Sequence, residues 1–298
     1  METECRYVSS RGIMKSCHIF QSRFSSSNPH IYEDILAKVE DGDSVYVCTT
    51  AVPTFARLFL PRLTKRITLV TGDADESVPN IAGANAILNS PYIVRWFAQN
   101  CLSNHPKLRH MPIGMDYHTL SAGNYPAWGA QKTPVGQDNE IRALCGSSPH
   151  FSEREPKCYT TFHFQLGRGD RHEAYNSIPK DLVYYEPKHV VRAESHTKQV
   201  KYAFVVSPYG GGPDCHRTWE ALALGCIPII KSCELDPLFA DLPVLLVKNW
   251  SDVTQALLDQ TIEDFKGRTF NYEKLTLGYW MNEIRNLKLS NTDNTNTG

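Results

Sequence analysis

Residues 203–230, AFVVSPYGGGPDCHRTWEALALGCIPII, constrain the fold of this 298-residue chain more than any other stretch. They read as strand, glycine-rich turn, helix, glycine stop and strand. Asp214 is placed to cap the helix N-terminus, and Gly225 stands where a C′ glycine belongs. Gly210, Gly211 and Gly212 let the backbone come close to a ligand. A strand end, unpaired amides and a helix N-terminus together make an anion site, at the sheet edge where such folds bind ligands. Arg217, in the first turn, can fork onto a phosphate. Glu220 lies three residues on, on the same face, and its carboxylate can accept both ribose hydroxyl protons. A phosphate clamp and a ribose clamp one helical turn apart suit a nucleoside diphosphate. The plainer alternative is a bare loop with an Arg217–Glu220 intrahelical ion pair. The pattern is neither the dinucleotide G-x-G-x-x-G nor a P-loop.

The rest of the chain alternates in the same way. Gly12–Phe20 reads as a strand and Pro29–Val39 as a helix, on the recurrence of Ile31, Ile35 and Val39. Ser44–Thr49 and Ile67–Val70 read as strands around a helix at Pro53–Leu63, which favours a right-handed βαβ unit and a parallel sheet. Ser90–Cys101 reads as an amphipathic helix and Leu108–Ile113 as a strand. Periodicity is then lost over residues 120–156, apart from a short helix at Asp138–Cys145, and the domain boundary is placed there. The second half restarts with a strand at Cys158–Phe164. Val183–Tyr185, Ala203–Ser207, Ile227–Ile230 and Val244–Val247 follow as strands, with helices at Cys215–Leu224, Trp250–Asp259 and Asn271–Leu287.

Length favours two domains. With 31 basic and 32 acidic side chains the formal net charge is −1, which argues against a nucleic-acid partner. Nine cysteines without a C-x-x-C are read as reduced thiols of a cytoplasmic protein, with neither a disulfide framework nor a structural zinc site. No apolar run approaches the roughly 20 residues of a membrane span, and the N-terminus carries no signal-peptide pattern. The sequon Asn249-Trp250-Ser251 is read as a chance surface turn.

SPYGGGPDCHRTWEALALGCIPII resembles the C-terminal motif of exostosin-type glycosyltransferases, which carry a small-residue loop, an Arg near the helix start, a Glu, and then Gly-Cys-Ile-Pro and a strand. With HPKLRHMPIGMDYHTL (105–120) and NYEKLTLGYWMNEI (271–284), the chain is similar to exostosin-like glycosyltransferases of large algal viruses, closest to chlorovirus xylosyltransferases of capsid glycans. The resemblance covers most of residues 44–287. It implies an α/β fold of GT-B type: two Rossmann-like domains face across a cleft, with a C-terminal helix crossing back to the first domain. The expected division is an acceptor-binding domain at 1–150, a nucleotide-sugar-binding domain at 151–270, the returning helix at 271–289 and a disordered tail at 290–298. By position, Arg217 would hold the pyrophosphate and Glu220 the ribose. Cys215-His216 stands where many relatives have small hydroxyl residues, and His216 is counted with the donor site. The implied donor is a UDP-sugar, UDP-xylose, and the implied acceptor a fucose in a glycan. Neither sugar follows from the residues themselves.

Other segments can complete the site. In Gly167-Arg168-Gly169-Asp170-Arg171, Arg168 and Arg171 can each meet phosphate oxygens, or be a solvated loop. Arg192 is the best side chain of residues 185–195 to face the base. The strand Ile67–Val70 runs into Thr71-Gly72-Asp73-Ala74-Asp75-Glu76, placing carboxylates at a strand end. Inversion at a sugar carbon needs a base for the acceptor hydroxyl; Asp73 is the first candidate and Asp75 the second, against the alternative that both cap a loop. His110, Asp116 and His118 can contact the acceptor, and Tyr125 and Trp128 can stack on sugar. No cofactor and no metal ion are expected. Two rival readings stay open. One is a GT-A-like transferase with a metal on the Asp73-Ala74-Asp75 string; the other is a sugar-nucleotide-binding protein without catalysis.

Overall fold

A computed structural model gives the fold, and residues 1–123, 125–164 and 168–285 are described. The expected tail at 290–298, the end of the last predicted helix and Gly167 lie outside the described residues.

Two parallel sheets organise the chain. The first has the order β1-β2-β3-β4, built from Ser44–Cys48, Ile67–Gly72, Ile93–Ala98 and Leu108–His110. The second has the order β6-β5-β7-β8-β9, built from Glu155–Thr160 (β5), Val183–Tyr185 (β6), Tyr202–Val206 (β7), Ile227–Lys231 (β8) and Leu245–Val247 (β9). Every residue of β1 and β2 is buried, as expected of strands covered on both faces. The helices are α1 Ser10–Ser16, α2 Val52–Thr54, α3 Ala84–Asn89, α4 His118–Ala122, α5 Pro134–Ser147, α6 Arg171–Ser177, α7 Arg192–Gln199, α8 His216–Ala223, α9 Asp236–Phe239, α10 Gln255–Lys266 and α11 Leu277–Arg285. α2 runs on through π and 3₁₀ turns to Arg62. This is the α/β architecture with two parallel sheets expected above. Among the described residues no helix is long and apolar enough to cross a membrane.

Each sheet has its own apolar core. A third cluster joins them: Tyr46, Val70 and Phe97 from the first sheet pack in one body with Val205, Trp219 and Leu222 from the second half and with Trp280 and Met281 of α11. α11 lies against α1, where Arg285 Nη2 donates to the Ser16 carbonyl at 2.7 Å.

Several local expectations need correction. Gly12–Phe20 is not a strand: Ser9 accepts the Gly12 amide and starts α1, burying Ile13 and Met14. Pro29–Val39 is not a helix, although Ile35 and Val39 are buried. Asn28 and Asp34 accept the amides of His30 and Leu36, and such bonds compete with helical ones. The helix predicted at Ser90–Cys101 is absent and the stretch holds β3 instead, with β2 and β4 paired on its two sides; sheet pairing overrides an apolar spacing that fits either period. The helix predicted at Asp138–Cys145 begins four residues earlier, at a Thr133 cap followed by Pro134. The helix predicted at Trp250–Asp259 begins later, as α10 at Gln255, after a capped turn at Trp250–Asp252; Trp250 is fully buried and donates to Asp170 at 2.8 Å.

Candidate functional site

β7 ends at Val206 and the chain crosses to α8 through Ser207–Cys215. The N-cap is Cys215, without a side-chain cap, so Asp214 does not cap the helix as expected. Its buried carboxylate instead takes the indole N–H of Trp219 at 2.8 Å and the amide of Ile113 at 2.6 Å, while its own amide donates to Asn100 at 3.0 Å. Burial pushes the Asp214 carboxyl up to about 6, against the lowering by those two donors. It is a strut between the halves. Gly225 fulfils its role: at φ +72° it follows the last turn of α8, a conformation that suits glycine.

The three-glycine loop makes its close approach to protein. A Cβ on Gly211 would stand 2.2 Å from Asp75 Oδ2, and one on Gly212 2.5 Å from Asn100 Nδ2. Arg168 and Asp75 form a 2.8 Å ion pair, both more than half exposed or close to it, across the same seam. The sequence could not show that the loop meets the end of β2, because the contact is between the two sheets.

Two guanidinium groups remain near the helix start. Arg217 donates to the Pro208 carbonyl at 3.4 Å and lies 5.6 Å from the Phe162 ring. Arg171 donates to the His163 carbonyl at 3.0 Å, and its Nε is buried without a hydrogen-bond partner among the described residues. Burial first, and then the charge of Arg217, push Arg171 down to about 10. Two cations that repel each other while only weakly engaged can both be satisfied by an anion.

Glu220, one turn further along α8, is charged despite burial: Arg192 and His196 hold its carboxyl down to about 2. It lies on the wall of a cavity of about 390 Å³, with Asp116, Leu120, Trp128, Arg192 and His196. That volume is within the usual range for a ligand pocket. Arg192 opens α7 and bonds Asp116 of the first half, Nη2 to Oδ2 at 2.5 Å and Nη1 to the carbonyl. Most of the other cavity wall comes from residues 115–144, where sequence periodicity gave little; the Thr133-Pro134 start of α5 was the available signal.

Asp73 follows β2 at φ +57°. Ser10 Oγ and Gln99 Oε1 each accept its amide at 3.0 Å. Ser26 donates to its carboxylate at 2.9 Å and Arg11 Nε lies 3.4 Å away. Arg11 and Asn100 were missed from sequence; Asn100, at φ +53°, donates to the Ala74 and Asp75 carbonyls and receives the Asp214 amide. His110 Nε2 bonds the Glu234 carbonyl at 2.9 Å. Asp116 and His118 come together at 3.1 Å, with the His216 ring 5.7 Å from that of His118. Burial opposes charge on Asp116, but His216, Arg192 and His118 outweigh it and hold the carboxyl well below the usual range.

No protein-family model matches the chain, and no curated protein matches it. Solved structures do resemble it. "Trehalose-6-phosphate from E. coli bound with UDP-2-fluoro glucose" is 10% identical, covering 83% of this chain and 70% of that chain at a TM-score of 0.37. The Candida albicans trehalose-6-phosphate phosphatase N-terminal domain is 11% identical, covering 84% and 68% at 0.38. "OtsA apo structure" is 11% identical, covering 83% and 70% at 0.38. Likeness at this level assigns neither an activity nor a residue role to this chain.

Proposed function

We propose that the chain is an inverting glycosyltransferase that takes its sugar from a uridine sugar nucleotide and passes it to a glycan hydroxyl without a catalytic metal ion. One observation carries the reading: α8 presents Arg217 at its start and Glu220 one turn on, with Glu220 on the wall of the 390 Å³ cavity. Diphosphate would lie at Arg217, with Arg171, Arg168, His216 and the Gly210–Gly212 loop around it. The nucleoside would enter the cavity, its ribose hydroxyls donating to Glu220 and its base towards Arg192. Asp214 holds this helix to the first half. Asp73 is the proposed base, Asp75 the second choice, and His110, Asp116 and His118 face the acceptor. The finer reading rests on the chlorovirus resemblance: UDP-xylose as donor, fucose of a capsid glycan as acceptor, in the cytoplasm of an infected cell. The expected division into domains at about residue 150 belongs to the same proposal.

Arg217→Ala tests the donor site. Loss of a charge-assisted contact is worth about 1.5–3 kcal/mol, so UDP affinity should fall by roughly 10- to 150-fold. Calorimetry showing unchanged affinity in a folded variant removes the assignment. A thermal-shift panel of sugar nucleotides then identifies base and sugar.

The leaving diphosphate is neutralised here by arginines and helix amides, so transfer should persist in EDTA. Full loss, restored by manganese, would move Asp73 and Asp75 to a metal site.

A further inference from the structure

We propose that Asp116, His118 and His216 bind a divalent cation of the Zn²⁺ class that fastens the second half of the chain to the first. One ligand atom from each residue lies within 4.8 Å of the other two. Zinc sits about 2.0–2.2 Å from imidazole nitrogen and carboxylate oxygen, so ligand atoms around it are roughly 3–4 Å apart. The three side chains need to close by about an ångström. Asp116 and His118 follow β4 of the first half, whereas His216 opens α8 of the second.

Two of the ligands are already oriented from behind. His216 Nδ1 lies 2.7 Å from the Gly114 carbonyl. A carbonyl only accepts, so Nδ1 carries a proton, and in the neutral ring Nε2 keeps its lone pair for a metal, the usual arrangement behind a ligating imidazole. Gly114 is itself held, because at φ +67° it bridges to Ser9 through the Ser10 to Ile113 and Met115 to Val8 backbone hydrogen bonds on either side. Asp116 gives Oδ2 to Arg192, and its Oδ1 faces His118 and accepts the Thr119 amide at 3.0 Å. The neighbouring cations are offset: Glu220 acts on Arg192, and Asp73 pairs with Arg11.

Two imidazoles and one carboxylate favour Zn²⁺ or Co²⁺ over Mg²⁺ and Ca²⁺, which prefer oxygen ligands. The inference gives His216 to the metal rather than to the diphosphate, and Asp116 and His118 to the metal rather than to the acceptor, and leaves the Arg217–Glu220 part of the donor reading untouched. The ion is a clasp between the halves rather than a catalytic metal, so EDTA should lower Tm.

Co²⁺, which absorbs in the visible when held in a low-coordinate site, is the probe. It is titrated into the metal-stripped full-length chain, followed by Zn²⁺ competition. One equivalent should bind, and at a hundredfold excess over Kd the metal should raise Tm by roughly 4 °C. His118→Asn and His216→Gln should each weaken binding by more than about 100-fold, beyond the cost of losing an outer-shell partner. The glutamine amide can still donate to Gly114, which guards against misfolding; circular dichroism of the metal-free variants verifies it. Unchanged affinity in both folded variants, no binding at millimolar metal, or a sulfur-to-cobalt charge-transfer band from one of the nine cysteines would overturn the site. UDP calorimetry on the metal-free protein reports on the donor reading separately.

Discussion

Asp73→Asn is expected to slow sugar transfer by about 10²–10⁴-fold, the usual worth of a positioned general base, while UDP affinity stays nearly intact. Asparagine preserves the shape of the side chain, and it tolerates the positive φ that Asp73 adopts. What it removes is basicity and the charge facing Arg11. Asp75→Asn should cost far less. Asp75 is half-exposed and pairs with an exposed Arg168, and such pairs contribute only about 0–1 kcal/mol. Single-turnover measurement keeps slow product release from hiding the chemical step. A full-speed Asp73→Asn beside a dead Asp75→Asn hands the role to Asp75. Full speed in both variants places the base elsewhere, with His110, Asp116 and His118 next to test.

The second large effect is on stability. Gly114→Ala should cost about 3 kcal/mol or more, combining a left-handed backbone strain of 1–3 kcal/mol with a core clash. An added Cβ would stand 2.2 Å from the Val8 carbonyl oxygen, which is backbone in an inter-segment bridge and has no rotamer by which to yield. Gly146→Ala is the contrast. It lies near the end of α5, with nothing within 4 Å of its new methyl, and should be neutral or stabilising by up to about 1 kcal/mol. Urea melts compare the two as midpoint shifts at constant slope. A Gly114→Ala protein as stable as the parent would show that the chain at Val8–Ser9 is free to move aside.

The elements legible in sequence were those with a single consistent signal. SVYVC, ITLV and the strands on either side of α8 are apolar runs too short for helices and bounded by turn residues. β3 failed that test: Ile93, Trp96 and Phe97 fit a helical face as well as a buried strand, and only the neighbouring strands decide between them. α1 was hidden because its start rests on one serine cap. At the site, local sequence placed Arg217, Glu220 and Gly225 on the right element, because spacing within a helix fixes them. It failed for Asp214, whose partners Ile113 and Asn100 are over a hundred residues away. The Asp116–His118–His216 group shares that difficulty: two members are neighbours in sequence, and the third arrives only through the fold.

The apolar cluster shared by the two sheets bears on how freely this chain could be recombined. A cut near residue 150 would strand Tyr46, Phe97 and Met111 on one fragment and Trp219, Leu222 and Trp280 on the other, each with an exposed greasy face. Substituting one half from a relative would demand matching side chains on both sides of that contact, along with the Asp214 strut. Changes around the cavity wall are therefore easier to accommodate than exchange of whole halves.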